Sequence, residues 1–138
     1  IDATTMTIHH DKHHGAYVAN LNGQIKANPS LATLSLDALQ GQISRFPAAV
    51  RNNGGGHWNH SQFWEMMGPG SSAMPGELEK ALTESFGSVA GFKEQVGATG
   101  AGQFGSGWAW LVKDKDGSLK ITKTENGVNP LCFGQTTH

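Results

Sequence analysis

The chain has 138 residues, enough for one medium-sized domain or two small layers sharing a core. Ten Lys plus Arg stand against eleven Asp plus Glu, a formal net charge of −1, and no basic run occurs, which argues against a nucleic-acid partner. The single cysteine, Cys132, excludes an internal disulfide and any thiolate-based zinc site, and no apolar stretch approaches the roughly 20 residues of a membrane span.

Residues 4–22 predict a helix, with only Gly15 against it at about 1 kcal/mol relative to Ala. At about 100° per residue, His9, His13 and Tyr17 fall on one stripe, with Met6, Ala16 and Asn20 beside them. His10 and His14 form a second, offset pair at the border of that stripe. A core-facing stripe that carries imidazoles needs partners for them: a carbonyl, a bridging water or a metal. Residues 23–34 read as a loop turning at Asn28-Pro29, and Ser35 offers an N-cap to a short helix that ends near Pro47. A second long helix is predicted over about 48–67 and is stopped by "GPGSS". The run Gly54-Gly55-Gly56 inside it is a poor helix former, so it implies close packing or a local distortion.

After Met74-Pro75 the character changes. "GELEKALTESF" and "SVAGFKEQVGATGA" predict two helices separated at Gly87-Ser88. "WAWLV" and the alternating "SLKITKT", joined through Asp116-Gly117, predict a β-hairpin. A hairpin is marginal alone, so a third strand is expected, beyond the end of this sequence. The fold class is α+β: an antiparallel hairpin of long helices, residues 1–68, then an α/β domain, residues 73–138, with an incomplete three-stranded antiparallel sheet.

The second histidine cluster is "GGGHWNHSQFW". Asn53, His57, His60, Trp64 and Met67 share one helical face, and antiparallel packing of the two long helices would bring His9 or His13 near His57 or His60. A lone histidine on such a face is ordinarily a satisfied core or surface residue, and Trp64, Trp108 and Trp110 would ordinarily be core aromatics. Six histidines in two facing clusters point instead to a metal site, and imidazole suits zinc, copper, iron and manganese alike. Spacing alone leaves open a non-enzymatic His-rich helical metal-binding module. It also leaves a hydrolytic zinc site, although no Glu of the H-E-x-x-H kind is present.

Three stretches, "MTIHHDKHHGAYVANLN", "NNGGGHWNHSQFW" and "GAGQFGSGWAWLV", resemble in order and spacing the iron/manganese superoxide dismutases, over essentially the whole chain. The resemblance implies the two-domain build above and conversion of superoxide to oxygen and hydrogen peroxide at one manganese or iron ion per subunit. It implies His9 and His60 as metal ligands, and His13 and Tyr17 as the outer pair beside the substrate channel, with Tyr17 bonding solvent and helping to deliver protons. It makes Trp64 and Trp108 the aromatic wall and leaves His10, His14 and His57 structural. It also implies a homodimer or homotetramer, in the cytoplasm, with a mitochondrial or exported location left open.

Two departures accompany it. The family's remaining ligands, Asp and His of a D-x-W-E-H segment expected after "FGQT", do not occur in this sequence, which therefore reads as a partial chain. Asp114 and Asp116 fall in the hairpin turn and His138 lacks the motif's surroundings, so none is taken as a ligand. The family also places a Gln against the metal's solvent from one of two positions. Here the first is Gly56, which leans towards manganese, and the second is Gly127, which leaves iron open; Gln135 is a further candidate.

Overall fold

The computed structural model describes residues 1–70, 72–134 and 136–137. Asp2 opens the first helix, α1 (Ala3–Thr7), by accepting from the Thr5 N–H at 2.9 Å. The helix continues without a break into a π-helical segment, Ile8–His14, and then into α2 (Gly15–Ala27). The Gly15 N–H reaches back five residues to the His10 carbonyl, which is the wider π bond. The helix therefore runs five residues beyond the predicted end, and a 3-10 turn over Pro29–Thr33 replaces part of the expected loop.

Ser35 caps α3 (Leu36–Gln40), which is shorter than predicted because Gly41 ends it and a separate 3-10 turn follows at Ile43–Arg45. Pro47 then precedes the long helix α4 (Ala48–Glu65). Neighbours across the two long helices run in opposite order: Asn20 with Asn53, Tyr17 with Gly56, His14 with His57, His9 with His60 and His10 with Trp64. The helices are therefore an antiparallel pair.

The triple glycine is what lets them, and the loop behind them, approach. A Cβ on Gly54 would stand 3.2 Å from Leu39 and Gln40 side-chain atoms, and one on Gly56 would stand 2.6 Å from the Tyr17 ring. A Cβ on Gly55 would overlap the carbonyl of Gly127. One glycine admits α3, the next the backbone of the 126–130 loop, and the third an aromatic ring.

The second half contains α5 (Gly76–Phe86) and α6 (Val89–Ala101), separated by Gly87 at φ +81° and capped by Ser88. The hairpin follows as β1 (Gly107–Lys113) and β2 (Leu119–Glu125), paired from Gly107↔Glu125 to Lys113↔Leu119. Asp114 N–H bonds the Ser118 carbonyl at 2.9 Å, and Gly117 takes φ +85°. The third strand does not lie wholly past the end of the sequence. Residues Thr136–Thr137 form a short β3 that pairs antiparallel with Lys113 and Val112, giving the order β2-β1-β3. Most of the β1 edge on that side stays unpaired among the described residues.

Two apolar clusters hold these layers: Leu21, Leu31, Leu39, Ile43 and Val50 under the helices, and Trp58, Trp110 and Val112 against the sheet. Between them runs a buried polar seam. Trp110 Nε1–H donates to Thr124 Oγ1 at 2.8 Å, and Thr124 Oγ1–H donates to the Val128 carbonyl at 2.7 Å. Asn59 donates to the same carbonyl at 3.3 Å, and Asn129 donates to Gln40 Oε1 at 3.0 Å. Gln40, Asn59 and Asn129 have no exposed surface. Among the described residues, no helix is long and apolar enough to cross a membrane.

Candidate metal centre

His60 is buried on α4, one turn after Gly56. Its Nδ1–H donates to the Gly56 carbonyl at 2.8 Å, so the lone pair is left on Nε2. That nitrogen faces His9 Nε2 at 3.0 Å, across from the π-helical segment. Two nitrogens each about 2.1 Å from one ion stand about 3 Å apart when they subtend a right angle, so this pair fits a shared cation. The ligand nitrogens of His9, His13 and His60 all lie within 4.8 Å of one another, and they form the single such group of three metal-ligating side chains found among the described residues. His10 does not join it; its Nδ1 pairs with Asp11 at 2.9 Å on the surface.

His9 and His13 rings lie 5.3 Å apart, and the next ring down is Tyr17, 5.0 Å from His13 and 5.4 Å from His60. Trp64 meets His9 edge-on at 5.1 Å, and Trp108 on β1 meets His60 edge-on at 5.1 Å. Phe63, which sequence reasoning left out, bridges His9 at 5.8 Å and Trp108 at 5.6 Å. Its position three residues after His60 was the available signal.

His14 is 8 % exposed and lies behind this group. Trp64 Nε1–H donates to His14 Nδ1 at 2.8 Å, and His14 Nε2 stands 2.7 Å from His57 Nδ1. Burial, then the neighbouring His57, His60 and His10 charges, push the His14 pKa down to about 4. Burial also lowers His60, against the Gly56 carbonyl bond that favours its proton, and burial lowers His9 and His57. Imidazoles biased to the neutral form are ready to bind a metal, because a ligand nitrogen must be deprotonated.

No carboxylate belongs to the cluster among the described residues. Asp114 is paired with Lys120 at 2.6 Å and Asp116 accepts from Ser118, both in the hairpin turn, as their sequence position implied. Gln135 and His138 lie outside the described residues. Neither glycine position has ready room for an amide: the Tyr17 ring fills the space at Gly56, and a Cβ on Gly127 would stand 2.9 Å from the Asn52 carbonyl oxygen.

Two helices thus bring His9, His13 and His60 together beside an aromatic wall, in an arrangement that could hold one metal ion. Residues 1–68 match the model of the iron/manganese superoxide dismutase alpha-hairpin domain, and residues 74–137 match that of the family's C-terminal domain. The chain belongs to the iron/manganese superoxide dismutases. It is 61 % identical over 136 residues to "Superoxide dismutase [Fe]" of Rhodobacter capsulatus, covering 96 % of this chain and 68 % of the relative. It is 50 % identical to "Superoxide dismutase [Mn] 1" of Leptolyngbya boryana, with 95 % of this chain and 55 % of the relative covered. It is also 50 % identical to "Superoxide dismutase [Mn]" of Thermus aquaticus, with 97 % and 68 % covered. The chain therefore spans about half to two thirds of the length of these relatives.

Proposed function

We propose that the full-length protein of which this chain is part dismutes superoxide at one manganese or iron ion, with His9 and His60 among the ligands and with residues 1–68 and 73–138 in its two domains. The observation that carries this reading is the 3.0 Å approach of His9 Nε2 to His60 Nε2, with His60 Nδ1 already committed to the Gly56 carbonyl. Held by His9 and His60, a manganese or iron ion would supply one-electron chemistry, oxidising one superoxide and reducing a second. Two superoxide anions and two protons then become one dioxygen and one hydrogen peroxide.

The protein's part is to hold and to deliver. The Gly56 carbonyl fixes the tautomer and ring plane of His60, so that its basic nitrogen faces the ion. His13 and Tyr17, in ring contact with each other and with His60, take the outer role: they order solvent beside the ion and pass protons to the reduced product. Trp64, Trp108 and Phe63 shield the site and lower its dielectric, which strengthens every charge interaction there. Gly56 supports manganese only by leaving the helix position without an amide, and iron stays within the proposal. Family membership sets aside the non-enzymatic metal-binding module. A homodimer or homotetramer in the cytoplasm completes the reading.

The test is metal analysis of the purified full-length protein, followed by reconstitution with manganese and with iron and assay of superoxide disappearance. Failure of both metals to bind stoichiometrically, or binding that survives His60→Ala unchanged, overturns the ligand assignment.

A further inference from the structure

His9 and His60 sit on different helices, so their 3.0 Å approach depends on how the π-helical segment is aligned along α4. One side chain is placed to fix that alignment. His14 lies over the His60 ring, centroids 5.5 Å apart and planes 27° from parallel. Its two nitrogens are held by α4 residues on either side of His60: Trp64 Nε1 at 2.8 Å and His57 Nδ1 at 2.7 Å.

The donor directions follow from the chemistry. An indole N–H can only donate, so His14 Nδ1 accepts and carries no proton. The neutral ring then carries its proton on Nε2 and donates it to His57 Nδ1. The chain Trp64→His14→His57 has one sense and spans two turns of α4, with His60 between its ends. A further side-chain hydrogen bond across this helix pair, Asn20 to Asn53, is exposed and 3.3 Å long.

We propose that His14 is a positioning residue for the metal site: a clasp, locked as the Nε2–H tautomer, that sets the π segment along α4 and so fixes the approach of His9 to His60. This gives a specific task to a residue that the sequence left as merely structural. It rests on the reading of His9 and His60 as ligands.

The test uses cobalt(II) as a spectroscopic probe on the 138-residue chain, with affinity measured by chelator competition and geometry read from the d–d absorption. His14→Phe keeps a flat ring but can neither accept nor donate. His14→Gln restores one acceptor and one donor at a similar separation. Loss of a group bonded directly to a metal ligand typically costs about 10–100-fold in metal affinity, and a clasp that sets the ligands' approach through helix alignment should reach the lower end of that range. The expected result is a cobalt affinity at least tenfold weaker in His14→Phe with an altered d–d spectrum, and recovery to within about threefold in His14→Gln. In the metal-free protein, nitrogen-15 shifts should report His14 Nδ1 unprotonated and Nε2 protonated.

An unchanged affinity and spectrum in His14→Phe, a His14→Gln variant as weak as His14→Phe, or a proton on His14 Nδ1 each overturns the proposal. If His14→Phe fails to fold, Trp64→Phe carries the test: it removes a single donor, and unchanged affinity and tautomer there overturn the proposal equally. Failure of the unmodified chain to bind cobalt overturns the ligand reading instead, so the two failures are distinct.

Discussion

Replacing Gly55 by alanine should be far more damaging than its position inside a helix suggests. On propensity alone Gly→Ala in a helix stabilises by about 1 kcal/mol. At Gly55, however, the new methyl overlaps the carbonyl of Gly127, with the carbonyl carbon at 2.8 Å. Both partners are backbone, so neither can rotate aside, and relief requires α4 and the 126–130 loop to separate. Overpacking of side chains already costs about 1–3 kcal/mol, and a backbone overlap belongs at or above the top of that range. The net expectation is a loss of about 2 kcal/mol or more, or roughly 6 °C in Tm for a chain of this size. Gly23 on α2 is the control: nothing lies within 4 Å of its added Cβ, so Gly23→Ala should gain up to about 1 kcal/mol. Gly54 is intermediate, because the atoms it would meet at 3.2 Å belong to the side chains of Leu39 and Gln40, which can give. Urea and thermal unfolding of the three variants measure the order. A Gly55→Ala protein as stable as the unmodified one, beside a stabilised Gly23→Ala, would refute the packing account of the triple glycine.

In the full-length protein, His60→Ala should abolish stoichiometric metal uptake and activity together, read by metal analysis and superoxide assay. Tyr17→Phe should retain the metal and lose only part of the turnover, because it removes one hydroxyl; an empty site in that variant would contradict its outer role. Trp58→Phe should cost about 1–2 kcal/mol in urea unfolding, because it breaks the 2.6 Å bond from Trp58 Nε1 to the Asp37 carboxylate. The 138-residue chain alone, loaded with iron or manganese, should dismute superoxide little faster than the free ion at equal concentration, because the described cluster has no carboxylate to offset a trivalent charge. A rate per metal equal to that of an intact dismutase would overturn that expectation.

Helix pairing and hairpin were legible because each rests on a local signal: period, cap and turn chemistry. The triple glycine announced a close approach but not its three different partners, which come from parts of the chain as far apart as Tyr17 and Gly127. The π segment was hidden because the 100° rule assumes one helical period throughout. His9, His13, Tyr17 and His60 stood out by pattern and by resemblance, and their rings are neighbours in the fold. His14 and Phe63 did not stand out, since their contacts depend on the axial register of two helices, which no local signal sets.

The buried polar seam bears on how the molecule can be divided. Gln40 and Asn59 come from the helical half, and Thr124, Val128 and Asn129 from the half that carries the sheet. If the chain were cut between residues 68 and 74, each piece would retain carboxamides or carbonyls shaped for partners on the other. Each orphaned group costs about 1–3 kcal/mol if it stays buried, a large share of the stability a piece of this size can have. The two domains should therefore depend on each other for stability: co-expressed halves are expected to recover native structure only by associating, and a half that folds alone would refute this.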